Sequence, residues 1–292
     1  MFQQLLTNGL IAGSIYSLIA LSFTIIYRTV KFFHFAHGVV YTAGAYLAYT
    51  LAISLGLNFL ISFFLATVLA GVLGLCIDRL VYSPLRQQKA PNLVLLIASF
   101  GVFIFIQNFI QLLYGAQILT LRTGPIREGY QIFSAVITPI QIMILVVSII
   151  LMCGLWLFIQ KTKMGKAMRA VADDPVGASV VGIYPENTIL TAFAIGSAAA
   201  GIAGILISLE TNIEPTMGFS AILKGIIASI IGGIGSIPGA MLGGLFLGIV
   251  ENLGIWKIQA GWKDTIAFAV LIIFLLFRPG GIFNVKTGPE RV

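Results

Sequence analysis

Charged residues cut this chain into seven long runs that carry no charge at all: Phe2–Tyr27, Phe32–Ile77, Asn92–Leu121, Gly129–Gln160, Asn187–Leu209, Gly225–Val250 and Thr265–Phe277. A water-soluble fold has no use for such runs, whereas a bilayer demands about 20 consecutive apolar residues for each helical crossing. The chain has 292 residues, 59% hydrophobic and 9% charged, against about 25% charged in ordinary soluble domains. That leaves room for about eight to ten spans joined by short loops. The expectation is an all-α, polytopic membrane helical bundle of about eight to nine transmembrane segments, one domain over residues 1–292 with no soluble domain appended.

The run Phe32–Ile77 is long enough for two helices, and Leu55, Gly56, Leu57 and Asn58 mark the turn between them. In Gly225–Val250, Gly232, Gly233, Gly235, Ser236 and Pro238 interrupt the helix, so two shorter segments are expected to meet there. Met1–Tyr27 has no basic leader and stays apolar for longer than a signal peptide, so it reads as a first span that is retained. Cys76 and Cys153 have no partner at metal or redox spacing and read as small packing residues.

Lys and Arg orient the chain, because cytoplasmic loops collect them. With the N-terminus outside and nine crossings, the inner loops hold Arg28, Lys31, Arg79, Arg86, Lys89, Lys161, Lys163, Lys166, Arg169, Arg278, Lys286 and Arg291, twelve of the 17 basic residues. The opposite orientation leaves five inside, while eight crossings leave eleven, so charge sets the orientation but not the choice between eight and nine. The formal charge of +7 is explained by these loops and does not call for nucleic acid as a partner.

The longest inner loop, about residues 160–187, changes character. Met164–Ala172 combines small residues with a basic face, and Asp173, Asp174 and Pro175 can cap and open a second short helix through Ala178 and Val181 to Gly182. Two short helices around a turn make a rigid knob. Its small side chains would admit a partner's groove, and Arg169 with the two aspartates would supply polar handles for register. The bland alternative is a solvated loop rich in Ala and Gly.

Three motifs carry a family resemblance. Gly165, Lys166, Ala167, Met168, Arg169, Ala170, Val171, Ala172, Asp173 and Asp174, followed by Ala178, Gly182 and Ile183, resemble the cytoplasmic coupling loop of the branched-chain amino acid ABC permeases. FAHGVVYTAGAY at Phe35–Tyr46 and GGIGSIPGAMLGG at Gly232–Gly244 are similar to two further family segments. One departure is His34, where the family commonly has asparagine. The resemblance implies a bacterial inner-membrane permease that pairs with a second, similar permease as a heterodimer, two cytoplasmic ATPases and an external substrate-binding protein. ATP and Mg would be used by the ATPases, with no cofactor on this chain, which has no G-x-x-x-x-G-K-[ST] loop of its own. Branched-chain or other neutral amino acids are the implied cargo, with urea-like amides or sugars as alternatives.

Further candidates come from the residues themselves. Gly235, Gly239 and Gly243 recur every four residues, with Gly244 and Gly248 on a neighbouring line, a face for close helix packing. Packing is favoured there over substrate contact, while the break at Ser236–Pro238 borders either a pathway or a helix reversal. His34 and His37 lack the Cys, Asp or Glu that a metal set needs, and hydrogen bonding at a helix entrance is the expected role, with Gly38 and Gly44 allowing close approach. Glu251 is an ionisable group near membrane depth and therefore a candidate, the alternative being an interfacial carboxylate that snorkels to water. Glu210 and Glu214 close a span on the outer side, as docking acids or as solvated ones. Two other classes stay open: an ion-coupled secondary transporter using Glu251, and an intramembrane hydrolase with Ser197 or Ser236 as nucleophile and His34 or His37 as base.

Overall fold

The computed structural model describes residues 1–122, 129–132 and 135–283; Lys286 and Arg291, counted above among the inner cations, lie outside the described residues. Helix α1 (Phe2–Val30) leads to α2 (Ala36–Tyr49), which is continued by a π turn at Thr50–Ser54. Helix α3 (Phe59–Ile77) passes through a second π turn, Asp78–Tyr82, into α4 (Ser83–Gln87), and α5 (Asn92–Tyr114) follows. A hairpin of β1 (Tyr130–Ile132) and β2 (Ala135–Ile137) precedes α6 (Pro139–Lys161), and two short helices, α7 (Lys163–Asp173) and α8 (Pro175–Val180), lead to α9 (Pro185–Glu210). Helices α10 (Met217–Gly232), α11 (Ile237–Gly254) and α12 (Lys263–Phe277) complete the order.

Length and hydropathy qualify six helices as membrane spans: α1, the continuous helix Phe59–Gln87, α5, α6, α9 and α11. Helices α2, α10 and α12, with 14, 16 and 15 residues, are shorter, so length alone does not reach the eight to nine crossings expected from the runs. Their side chains are sorted as lipid requires. Helix α3 buries Ser62, Ala66, Ala70, Gly71 and Gly74 and exposes Leu60, Ile61, Phe64 and Val68, because large apolar groups gain nothing by leaving lipid whereas small ones let backbones approach. Cys76 and Cys153 fall on outward faces, which corrects their reading as packing residues.

The chain divides into two compact units: Met1–Thr24, Arg127–Met152 and Leu223–Val292 form the first, Ile25–Ile126 and Cys153–Ile222 the second. In the first, α11 is the central element, and its two glycine lines face different partners. A Cβ on Gly13 would fall 2.9 Å from the Cα of Leu245, and one on Gly244 or Gly248 would overlap Ser17 or Gly13 of α1. Gly239 and Gly243 meet Gly232 and Ala228 of α10 in the same way. The break between α10 and α11 is closed by Gly233 and Gly235, at φ +106° and +87°, a region open to glycine without steric cost. Ser236 caps α11 by accepting from Gly239 N at 3.1 Å. Two orphan carbonyls at the end of α10, those of Ile231 and Gly232, accept from Ile282 N (2.8 Å) and Phe283 N (3.2 Å), so the reversal leaves fewer backbone groups unpaired.

In the second unit α9 packs against α2 and α3. Gly44 on α2 faces Gly201 on α9, where a Cβ would lie 2.5 Å from the opposing Cα, and Gly204 sits against the backbone of Tyr41. The turn at Leu55–Asn58 forms as read, with Gly56 at φ +67° and Asn58 capping α3 through Leu60 N at 2.9 Å. The cluster Phe32, Tyr82, Leu95, Val171, Ala178, Ile189 and Phe193 is continuous, and it joins the short helices α7 and α8 to the membrane helices.

Candidate functional site

The knob predicted at Lys161–Glu186 is present as α7 and α8, and its chemistry follows from local caps. Thr162 accepts from Gly165 N at 3.0 Å to start α7. Asp174 accepts from Val176 N at 3.0 Å, with Pro175 in the first turn of α8. Gly165 packs against Ile159 so closely that any side chain would overlap backbone. Gly182, at φ +85°, lets the chain leave α8.

The knob's faces differ from those expected. Arg169, read as a handle for a partner, turns back and donates to the carbonyl of Ile159, with Gln160 Oε1 at 3.4 Å; it secures the α6–α7 corner instead. A cation near the last carbonyls of a helix is favoured there by the macrodipole. Ala178 is buried with Val171 in the apolar cluster, and Ala170 packs against it, while Ala167 is half-buried. The surface left facing outward is apolar and branched: Val176, Val180 and Val181 are 73%, 83% and 74% exposed. Asp173 and Asp174 are exposed beside them. Lys31 lies near this end, and burial, followed by repulsion from Arg28, lowers its pKa while Asp173 opposes the shift.

Behind the knob stands an ion network that sequence reading missed. Arg86 grips Asp78 with both terminal nitrogens, at 2.6 and 3.1 Å, and reaches Glu186 Oε2 at 2.9 Å. Ser83 Oγ donates to the same carboxylate oxygen at 3.2 Å. Asp78 is fully buried, and Glu186 occupies the first turn of α9, where the helix dipole favours an acid. The network ties the end of α3 and α4 to the residue that follows the knob. The π turn at Asp78–Tyr82 rephases the helix between Asp78 and Arg86.

His34 and His37 are both buried. Tyr82 OH and His34 Nδ1 share a hydrogen bond of 3.0 Å, and the His34 ring meets those of Tyr82 and Phe193 edge-on at 5.2 and 5.1 Å. Among the described residues no group of three or more His, Cys, Asp and Glu gathers. Tyr82 belongs to the same apolar cluster as Val171 and Ala178 of the knob and bonds to His34, two residues before α2.

In the first unit Glu251 is fully buried and paired, not snorkelling. Lys224 Nζ lies 3.3 Å from Glu251 Oε2, 3.1 Å from Asp264 Oδ1 and 3.0 Å from Tyr16 OH, and Tyr16 OH donates to Glu251 Oε2 at 2.9 Å. Lys224 and Tyr16 were not singled out from the sequence; only Lys224 carried a signal, a lone cation at the edge of an apolar run. Ser236 is occupied as a helix cap and Ser197 packs against Gly74.

Apolar helices with small inward faces, six of them long enough to cross a bilayer, and a helix reversal closed by glycine define a multi-pass membrane protein. The chain belongs to the family described as branched-chain amino acid transport system / permease component, which matches residues 5–275. It is 40% identical to the high-affinity branched-chain amino acid transport system permease protein BraD of Pseudomonas aeruginosa, over 97% of this chain and 96% of that one. It is 39% identical to the permease protein LivH of Escherichia coli K12 over the same shares. A probable branched-chain amino acid transport permease protein LivH of Methanocaldococcus jannaschii is 30% identical, over 97% and 93%. The fold is similar to a chain of the solved structure of PsaBC from Streptococcus pneumoniae in complex with Fab, with a TM-score of 0.54, 13% identity and coverage of 94% and 91%. The chain is thus a permease component of a transport system and not an enzyme.

Proposed function

We propose that the chain is one of two membrane subunits of an ATP-driven importer for branched-chain or other neutral amino acids in a bacterial inner membrane, with its N-terminus outside. A second permease, two cytoplasmic ATPases that use ATP and Mg, and an external binding protein complete the machine. Helices α2, α10 and α12 cross beside the six longer helices, which gives nine spans, and residues 1–292 form one permease domain. The observation that carries this reading is the two-faced knob: Val171 and Ala178 lie within the apolar cluster of the second unit while Val176, Val180 and Val181 face outward, without cover from the other described residues. When the ATPases close on ATP they displace that outer face, and the inner face passes the displacement to Tyr82 and the start of α2, rocking the helices about a central pathway.

An ion-coupled mechanism would need a membrane carboxylate free to exchange a cation. Glu251 is neutralised by Lys224 at 3.3 Å, which argues against that role. The test is uptake of L-leucine into proteoliposomes. The complete complex is expected to require internal or external ATP on the ATPase side and to ignore an uncoupler; uptake by this chain alone, or uptake abolished by the uncoupler with ATP intact, overturns the proposal.

A further inference from the structure

A cavity of about 700 Å³ opens in the second unit, between α5 and the segment that joins α9 to α10, within the ~300–1,000 Å³ range of small-molecule sites. Its construction can be followed residue by residue. Leu119 and Ile213 pair in both directions, N–H to carbonyl, at 3.1 and 2.8 Å. The pairing fixes the backbone at residues 212–214, with Ile213 buried and Asn212 and Glu214 exposed on either side of it, and a turn at Pro215–Thr216, closed by Met217 N on the Glu214 carbonyl at 3.2 Å, leads into α10. Glu214 therefore stands on a fixed backbone and lines the cavity. The next residues begin α10, and that start is seated on α2: a Cβ on Gly38 would fall 2.5 Å from the carbonyl oxygen of Gly218. This seat fixes Met217 and Phe219, and the ring of Phe219 lies 6.0 Å from that of buried Phe103 on α5. Gln107, one turn on from Phe103, faces the same space.

Among the described residues the lining presents one carboxylate, that of Glu214, with neutral amide donors and an apolar wall, and no other ionisable group. A lone carboxylate attracts an ammonium group and repels a solute of net negative charge. The amides of Asn212 and Gln107 suit a solute carboxylate, and Phe103, Met217 and Phe219 suit a hydrocarbon side chain. We infer that this cavity is a solute-binding site of the permease itself for neutral α-amino acids, with Glu214 receiving the ammonium group and the Phe103–Phe219 wall the side chain. The inference rests on the importer reading above and adds a place on this chain where the solute pauses, apart from any selection made by an external binding protein.

The probe is a leucine analogue with a photoactivatable diazirine side chain, irradiated on the intact complex in mild detergent without the binding protein, with labelled peptides mapped by mass spectrometry. Label is expected on the peptide that contains Met217 and Phe219, displaced by excess L-leucine but not by L-glutamate or by 4-methyl-2-hydroxypentanoate, which lacks the amine. Glu214→Gln is expected to cut that label by about tenfold or more while thermal unfolding is unchanged, since the Glu214 side chain is exposed and the substitution keeps the backbone bond to Met217; Glu214→Asp should recover part of it. Label that is absent from this peptide, or unchanged in Glu214→Gln, in a complex that imports L-leucine at a normal rate overturns the site and leaves the importer reading standing. Failure of the wild-type complex to import L-leucine at all overturns both, and the two failures are told apart by that uptake measurement.

Discussion

Arg86 holds the fully buried carboxylate of Asp78 in a two-pronged grip, at 2.6 and 3.1 Å, and extends the same guanidinium to Glu186 at the first turn of α9. A fork of this kind positions as well as attracts, since its two parallel hydrogen bonds define a plane. The consequence is that the chain re-enters the membrane after the knob at a point anchored to α4.

Removing one side of this grip leaves an uncompensated buried charge, which costs about 3–5 kcal/mol. Arg86→Met is therefore expected to lower the unfolding temperature of the purified protein sharply. Arg86→Lys should fall between that variant and wild type, because a point charge cannot fork. Glu186→Gln should cost much less, as Glu186 is half-exposed and loses only one member of the network. Equal unfolding temperatures for Arg86→Met and wild type would contradict the assignment.

The Lys224–Glu251 pair is open to a double-mutant cycle. Lys224→Met strands the fully buried Glu251 carboxylate and should destabilise by about 3–5 kcal/mol, Glu251→Met leaves Lys224 paired with Asp264 and should cost less, and the double change should be milder than Lys224→Met alone. Tyr16→Phe removes a hydrogen bond shared by both partners and should cost about 1–2 kcal/mol. Additive single and double effects would show that the two groups do not interact.

Glycine contacts supply a paired test with an internal control. Gly44→Val drives a side chain into Gly201, where even a Cβ would be 2.5 Å from the opposing Cα, while Gly101 on α5 has open space around it. Membrane-inserted, monodisperse protein should be lost for Gly44→Val and retained for Gly101→Val, as read by size-exclusion chromatography in detergent. Gly239→Leu, directed at Gly232 of α10, should behave like Gly44→Val.

On the proposed coupling role, Val180→Glu places a charge on a side chain 83% exposed and should spare folding while reducing stimulated ATP hydrolysis and uptake together by about tenfold. Val171→Glu, in the buried cluster, should instead prevent folding. Arg169→Glu should act at the α6–α7 corner, lowering the unfolding temperature, because its partner is the Ile159 carbonyl. Normal ATPase stimulation in Val180→Glu would remove the outer face of α8 from the coupling surface.

What was legible in the linear chain is what depends on neighbours in sequence. The turn at Leu55–Asn58, the reversal at Gly232–Pro238 and the cap at Asp174–Pro175 follow from glycine, proline and aspartate acting over two or three residues, and each is found in place. The spacing of Gly239, Gly243, Gly244 and Gly248 foretold a helix that packs closely against its neighbours in lipid. The family motifs were readable because they lie in these same short stretches.

Other features are set by distance in space. Arg86 and Glu186 lie 100 residues apart, and Tyr16 and Glu251 lie 235 apart, so no local pattern announces either pair. The bond from Arg169 back to the Ile159 carbonyl is likewise not legible locally, because a helical segment shows which residues share a face but not which face is covered. The amino-acid sequence by itself determined that this is a membrane bundle with a polar knob, since the solvation of apolar runs and the conformations of glycine and proline are properties of single residues and their neighbours. Only the tertiary structure decided which charges neutralise one another, which side of the knob is free and where Glu214 stands, because desolvation and Coulomb energy depend on what the fold brings within a few ångströms.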